Sequence, residues 1–167
     1  MQAALDAGLE LIEQFVCEGA SPCVAPGEVH FMSQNTLERV STTVTPQKVL
    51  GVFAMQTPDL SALVAMSPMH SSQAQWILVA DRVADPGNLG TIIRTADWFG
   101  IQHIFCSLDS VDCFNPKVVQ ATMGSLARVK IHYLDLCVLM KEALQEKSFS
   151  IMGAYMEGEN ISDFKFA

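Results

Sequence analysis

The sequence is poor in positive charge. Ten lysines and arginines stand against eighteen acidic residues, a net charge of −8 over 167 residues. Taken alone, that balance speaks against a nucleic-acid partner. There is no C-x-x-C pair, and the five cysteines (Cys17, Cys23, Cys106, Cys113 and Cys137) are odd in number. This argues against a disulfide framework and a zinc ribbon, and leaves buried, reduced thiols as the expectation. The four histidines, His30, His70, His103 and His132, form no H-x-x-x-H pair, so no metal site is expected. No apolar run reaches the roughly 18 residues that cross a bilayer. The first ten residues carry neither a positive start nor a long apolar stretch, so no signal peptide is read and a cytoplasmic protein without membrane contact is expected. Internal repeats and low-complexity tracts are also missing.

What is abundant is apolar surface. Half of the residues are hydrophobic, enough to build one domain or two small ones. The charge is unevenly placed. Residues 1–72 hold two basic against seven acidic side chains, a balance of −5, and residues 73–167 hold eight against eleven, a balance of −3. A local basic face is therefore open to the second part, through Arg82, Arg94, Lys117, Arg128 and Lys130.

The polar, serine-rich stretch at 67–75 lies between two apolar runs and reads as a linker. Residues 1–66 then form a small α/β domain. Its first helix stops at Gly8, strands follow at ELIEQFVC and EVHFMS, and Asn35 with Glu38 makes a capping box for a short helix. VLGVFAM reads as a buried strand. This domain begins abruptly, as if a first strand were missing upstream. Residues 76–167 alternate strand and helix: WILVAD, a buried strand; a Gly/Pro loop; the helix TIIRTADWFG closed by Gly100; the strand HIFCS; a helix begun by Asn115 as cap and Pro116; a third helix at 134–145; and a strand at FSIMGAYM. Alternation of this kind implies right-handed crossovers and an α/β fold with a mostly parallel sheet.

The segment DPGNLG, 85–90, falls between the carboxyl end of a strand and a helix, where open α/β sheets bind ligands. Its two glycines permit tight turns and close approach of a substrate, and the free N–H groups of the helix start favour phosphate. On the helix, Ile92, Ile93, Ala96 and Phe99 share the face expected to meet the sheet. Arg94 lies roughly opposite, free to meet a ligand, a second subunit or water. Solvation, or a weak pair with Asp97, is the plainer account of such an arginine. The glycine spacing is neither G-x-G-x-x-G nor a P-loop, which ranks a nucleotide-binding domain low.

Read without a gap, DPGNLGTIIRTADWFG resembles the first motif of the SpoU/TrmH family of knotted SPOUT methyltransferases, in which D-P-x-N-x-G leads into a helix carrying R-T-A, then an aromatic and a glycine. NPKVVQATMGSLARV and GAYMEGENISDFKFA resemble the family's following segments, and TPQKVLGVF more loosely resembles the end of its N-terminal substrate-binding domain. The resemblance implies transfer of a methyl group from S-adenosylmethionine to a ribose 2′-hydroxyl of ribosomal or transfer RNA. It implies that Arg94 binds RNA phosphate and assists deprotonation of the hydroxyl, and that Asn88 helps to place Arg94 and the substrate. Lys117 and Arg128 are candidate RNA contacts. It also implies a homodimer formed through the catalytic domain, with Trp98 more suited to subunit packing than to base stacking. The family's methyl-donor site is a C-terminal knot built from G-N-E-G-type and S-L-N-type motifs. Neither occurs here, so 76–167 read as the first half of a SPOUT-type domain, with no cofactor-binding residues and no tight binding of S-adenosylmethionine expected of this chain. The competing expectation is a non-catalytic RNA-binding or ribosome-assembly module.

Overall fold

A computed structural model describes residues 1–43, 45–55, 76–145, 150–154, 157–158 and 160. The chain divides into two compact units, Met1–Leu136 and Cys137–Ala167. The first carries both sheets. The linker expected at 67–75 lies outside the described residues.

Helix α1 (Gln2–Asp6) ends as its glycine requires. Gly8 takes φ +78°, its N–H donates to the Leu5 carbonyl at 2.9 Å, and the Leu9 N–H donates to the Ala4 carbonyl at 3.0 Å. This paired closure satisfies the last carbonyls of the helix. Strands β1 (Leu11–Cys17) and β2 (Glu28–Met32) pair in parallel, and β3 (Val49–Phe53) runs antiparallel to β1, giving the order β2-β1-β3. Buried Gln14 is fully engaged: its Oε1 accepts from the Cys23 N–H at 2.8 Å and its Nε2 donates to the Cys23 carbonyl at 3.2 Å. The connection between β1 and β2 is thereby clasped to the sheet without leaving a buried amide unpaired.

Two expectations for this part are corrected. Helix α2 (Gln34–Val40) is capped by Ser33, whose hydroxyl accepts from the Thr36 N–H, and not by Asn35. The helix starts one residue before Asn35, and Gln34 rather than Asn35 reaches Glu38, at 2.8 Å. Strand β3 is partly exposed rather than buried, because among the described strands it sits at an edge and pairs with β1 alone.

The second sheet has the order β4-β5-β6, all parallel: β4 (Leu78–Ala80), β5 (His103–Ser107) and β6 (Lys130–Leu134). Helix α3 (Pro86–Trp98) links the first two. Helix α4 (Pro116–Ala121) and a 3₁₀ turn (Ser125–Ala127) link the last two, and helix α5 (Leu136–Gln145) follows. The α/β reading with a parallel sheet holds. The most buried strand, however, is the central β5, covered from Ile104 to Ser107, and not β4, which lies at an edge among the described strands. The core joins Leu89, Ile93 and Ala96 of α3 to Ile104, Cys106, Val118 and Ile131.

Helix α3 begins earlier than its glycines suggested. Asp85 is the cap, its Oδ1 accepting from the Asn88 N–H at 2.7 Å, and Pro86 occupies the first helical position. A proline there loses no hydrogen bond and has the helical φ built in. DPGNLG is thus a cap and a first helical turn rather than a loop. Phe99 was expected in the core, yet it is 74% exposed. It stands one residue past the last helical turn, as the C-cap, and Gly100 at φ +73° turns the chain away. Of the strand expected at FSIMGAYM, residues 150–154 have no regular structure, and the rest lies outside the described residues. Among the described residues no helix is long and apolar enough to cross a membrane.

Candidate nucleotide-binding rim

The carboxyl end of β4 opens onto a shallow depression of about 450 Å³, lined by Arg82, Val83, Asp85, Asn88, Thr91 and Ile92. Two turns of chemistry shape it. The Asp85 cap fixes the start of α3, and the Thr91 hydroxyl donates to the Gly87 carbonyl at 2.9 Å within the first turns. Asn88 is exposed at this rim, consistent with a side chain that is free to meet a substrate.

Arg94 is exposed on the same helix and makes no ion pair among the described residues. It lies six residues after Asn88, which in helix geometry is about 9 Å along the axis and about 240° around it. Asn88 lines the depression and Arg94 does not. The structure therefore brings the two to one helix, both outside the core, on different parts of its surface.

The pairing of Arg94 with Asp97 does not form. Asp97 is taken by Arg128, whose Nε lies 3.0 and 3.1 Å from its two oxygens and whose Nη2 also bonds to it. Hydrogen bonding from Arg128 holds the Asp97 carboxyl below its ordinary value. A two-pronged pair of this kind ties the end of α3 to the turn before β6 and engages the Arg128 charge internally. Lys117 is exposed near the start of α4, where its backbone N–H donates to the Asn115 cap at 2.9 Å, as the Asn-Pro pattern implied.

Sequence reasoning missed a latch beneath the rim. The Arg82 N–H donates to Ser107 Oγ at 2.7 Å and the Val83 N–H to Ser110 Oγ at 3.1 Å, with the two hydroxyls 2.9 Å apart. The signal was present as one serine closing the HIFCS strand and another three residues on, but only the parallel register places them under the neighbouring loop.

All five cysteines are free thiols. Cys17, Cys106 and Cys113 are buried as expected, whereas Cys23 is half-buried and Cys137 exposed. Burial pushes the Cys106 thiol up to about 11 and raises Cys113 as well, so neither is a ready nucleophile. The Tyr133 hydroxyl, also raised by burial, donates to the Val111 carbonyl and accepts from the Cys113 N–H, both at 2.7 Å. Glu13, Glu28 and His30 form the one cluster of metal-type ligands among the described residues. His30 Nε2 lies 3.7 Å from a Glu13 oxygen and 4.0 Å from a Glu28 oxygen, at the surface, where such groups commonly gather without an ion.

On the other face of β5 and β6, His103 Nδ1 and His132 Nε2 share a hydrogen bond of 3.0 Å, and His132 stacks on Phe105. His132 Nδ1 is buried and has no hydrogen-bond partner among the described residues. Burial, first, and neighbouring positive charge hold both imidazoles below the usual value of 6.5. The folded state therefore prefers them neutral. Stability is retained above pH 6.5 and falls as the pH drops below it, because the unfolded chain takes up these protons more readily. Urea unfolding is expected to show a midpoint that declines between about pH 7 and 5, and replacement of both histidines by glutamine is expected to flatten that decline. An equally steep decline in the double variant would assign it to other groups.

Residues 75–167 match the model of the SpoU rRNA Methylase family. The mouse protein rRNA methyltransferase 3, mitochondrial, is 37% identical over 91 residues, covering 54% of this chain and 21% of its own length. The 23S rRNA (guanosine(2553)-2′-O)-methyltransferase of Bacillus subtilis is 33% identical over 98 residues, covering 59% of this chain and 35% of its own. The AdoMet-bound rRNA methyltransferase from Sinorhizobium meliloti superposes with a TM-score of 0.69 at 27% identity, over 84% of this chain and 54% of that one. The chain spans about a fifth to a third of the length of these curated relatives.

Proposed function

The chain belongs to the SpoU rRNA Methylase family, and from that membership we propose that it serves transfer of a methyl group from S-adenosylmethionine to a ribose 2′-hydroxyl of ribosomal or transfer RNA, in the cytoplasm. The observation that carries the reading is an exposed arginine without an ion pair among the described residues, on the helix whose capped first turn forms the rim beyond a parallel strand. It stands in the motif position that the family resemblance assigns to phosphate binding.

A ribose hydroxyl is a poor nucleophile and must lose its proton as it attacks. A guanidinium stays protonated in water and is a poor base, so an electrostatic role suits Arg94: it holds a phosphate oxygen and stabilises the charge developing on the 2′-oxygen. Asn88 offers both a donor and an acceptor at the depression and, lying on a different part of the helix surface from Arg94, holds a neighbouring nucleotide there. Lys117 supplies a further exposed charge for the RNA backbone, while Arg128 contributes chiefly through its grip on Asp97. Trp98 and Phe99, both exposed at the end of α3, are suited to a twofold contact between catalytic domains.

S-adenosylmethionine is the co-substrate of the family. Its adenine needs an enclosed, largely apolar cleft. The open depression at the rim, with Val83, Ala84 and Ile92 as its apolar lining, does not fit it. The roles above are accordingly those of the nucleotide side of the reaction.

Incubation of the protein with rRNA and tRNA and methyl-labelled S-adenosylmethionine is expected to place label in alkali-resistant dinucleotides, because a 2′-O-methyl group blocks cleavage at the adjoining phosphodiester. Label confined to bases would overturn the ribose reading. Salt-dependent RNA binding with no label would favour the non-catalytic RNA-binding module instead.

A further inference from the structure

We infer that Arg82 is an anchor for an RNA backbone phosphate at the depression between β4 and α3, an inference that rests on the RNA reading above. Three independent features meet at this residue. The first is its conformation. Arg82 has φ +49°, a left-handed backbone that glycine adopts freely and side-chain-bearing residues rarely do. A strained residue held in place by its surroundings points toward a use for its side chain.

The second is the latch. The Arg82 N–H donates at 2.7 Å to the hydroxyl of Ser107, the last residue of β5, the Val83 N–H donates at 3.1 Å to that of Ser110 on the loop after it, and the Val111 N–H donates back to the Val83 carbonyl at 2.9 Å. Ser107 is itself buried. The backbone that aims Arg82 is thus fixed from below, as a preorganised binding group requires.

The third is charge. Among the described residues that line the depression, Arg82 is the only cation. The one carboxylate there, Asp85, is already engaged as the cap of α3. The Arg82 side chain is 74% exposed, and its one ion-pair partner among the described residues is its sequence neighbour Asp81, at 3.3 Å and 60% exposed. Such a solvated pair yields readily to a phosphate, which a guanidinium can grip with two parallel hydrogen bonds. In a chain of net charge −8, approach of RNA to this rim depends on such a local cation.

The test uses the whole chain, a fluorescein-labelled single-stranded RNA and a salt titration read by fluorescence polarisation. Arg82→Gly relaxes the backbone and removes the guanidinium, so its thermal midpoint is expected to equal or exceed the parent's while its RNA affinity falls about tenfold. The slope of log affinity against log salt is expected to shrink by about 0.7, the loss of one contact to a single strand. Arg82→Lys is expected to restore the slope. A purely structural role would leave the slope unmoved. Arg82→Gly binding RNA with the parent's affinity and slope would overturn the inference, and a parent that binds no RNA at any salt would instead bring down the RNA reading on which it rests.

Discussion

Arg94→Ala is expected to lower kcat for methyl transfer to RNA by about 10²- to 10³-fold while the fold stays intact. The magnitude is that of removing one preorganised donor aimed at charge that develops in the transition state. The stability half of the statement follows from position. Arg94 is exposed on α3, outside the core of Leu89, Ile93 and Ala96, and makes no ion pair among the described residues. Truncation of such a side chain changes stability by about 0.5 kcal/mol at most. If Arg94 only tethered RNA, KM would rise and kcat would stand. If it acts on the 2′-oxygen, kcat and kcat/KM fall together. Arg94→Lys separates charge from geometry. A point charge retains part of the electrostatic benefit but loses the planar fork, so an intermediate rate is expected. Full activity in Arg94→Ala would leave the family likeness without this mechanism.

How much of this was legible in the sequence depended on the range of the interaction involved. Several features made by neighbours were read correctly. Gly8 and Gly100 close their helices, and Asn115 with Pro116 opens α4, because capping is a matter of a few consecutive residues. In the second sheet, parallel pairing followed from strands alternating with helices. The start of α3 was misread although its signals were local, since Asp85 and Pro86 are a cap and a first helical residue. The two glycines that follow outweighed them as apparent loop formers. Ser33 was passed over in the same way when Asn35 and Glu38 offered a tidier capping box. What could not be read at all was long-range. The partner of Asp97 is Arg128, 31 residues away, and the serines that latch Arg82 and Val83 lie at the end of the neighbouring strand and on the loop after it. A positive φ on an arginine has no signature in residue order.

Gly90 makes the same point with the largest effect on stability. In the motif it reads as a residue that lets substrate approach the backbone. In the structure it is buried on α3 and faces α4: a Cβ there would meet the Cβ of Ala121 inside any allowed distance and lie 3.0 Å from the Val118 carbonyl oxygen and 3.2 Å from the Ala121 carbonyl carbon. Two effects oppose each other in Gly90→Ala. Helix propensity favours alanine by up to about 1 kcal/mol. Overpacking costs about 1–3 kcal/mol, and here the obstacles are a backbone and a Cβ, neither of which can rotate away. The steric cost is expected to win narrowly for alanine. Gly90→Val adds two methyl groups and forfeits most of the propensity gain, so a loss of about 3 kcal/mol is expected, or a fall in Tm of roughly 6–12 °C at the scale of such domains. Ala121→Gly introduced beside Gly90→Ala should return the lost stability, a coupling that a mere propensity effect would not produce. A more stable Gly90→Ala would mean that the two helices have room to spare. Activity supplies a second reading of the same contact, because α3 carries Asn88 and Arg94. A shift of about 1 Å in that helix suffices to cost about 10²-fold in rate, so Gly90→Ala is expected to slow methyl transfer more than its stability loss alone would, and Ala121→Gly to restore both together.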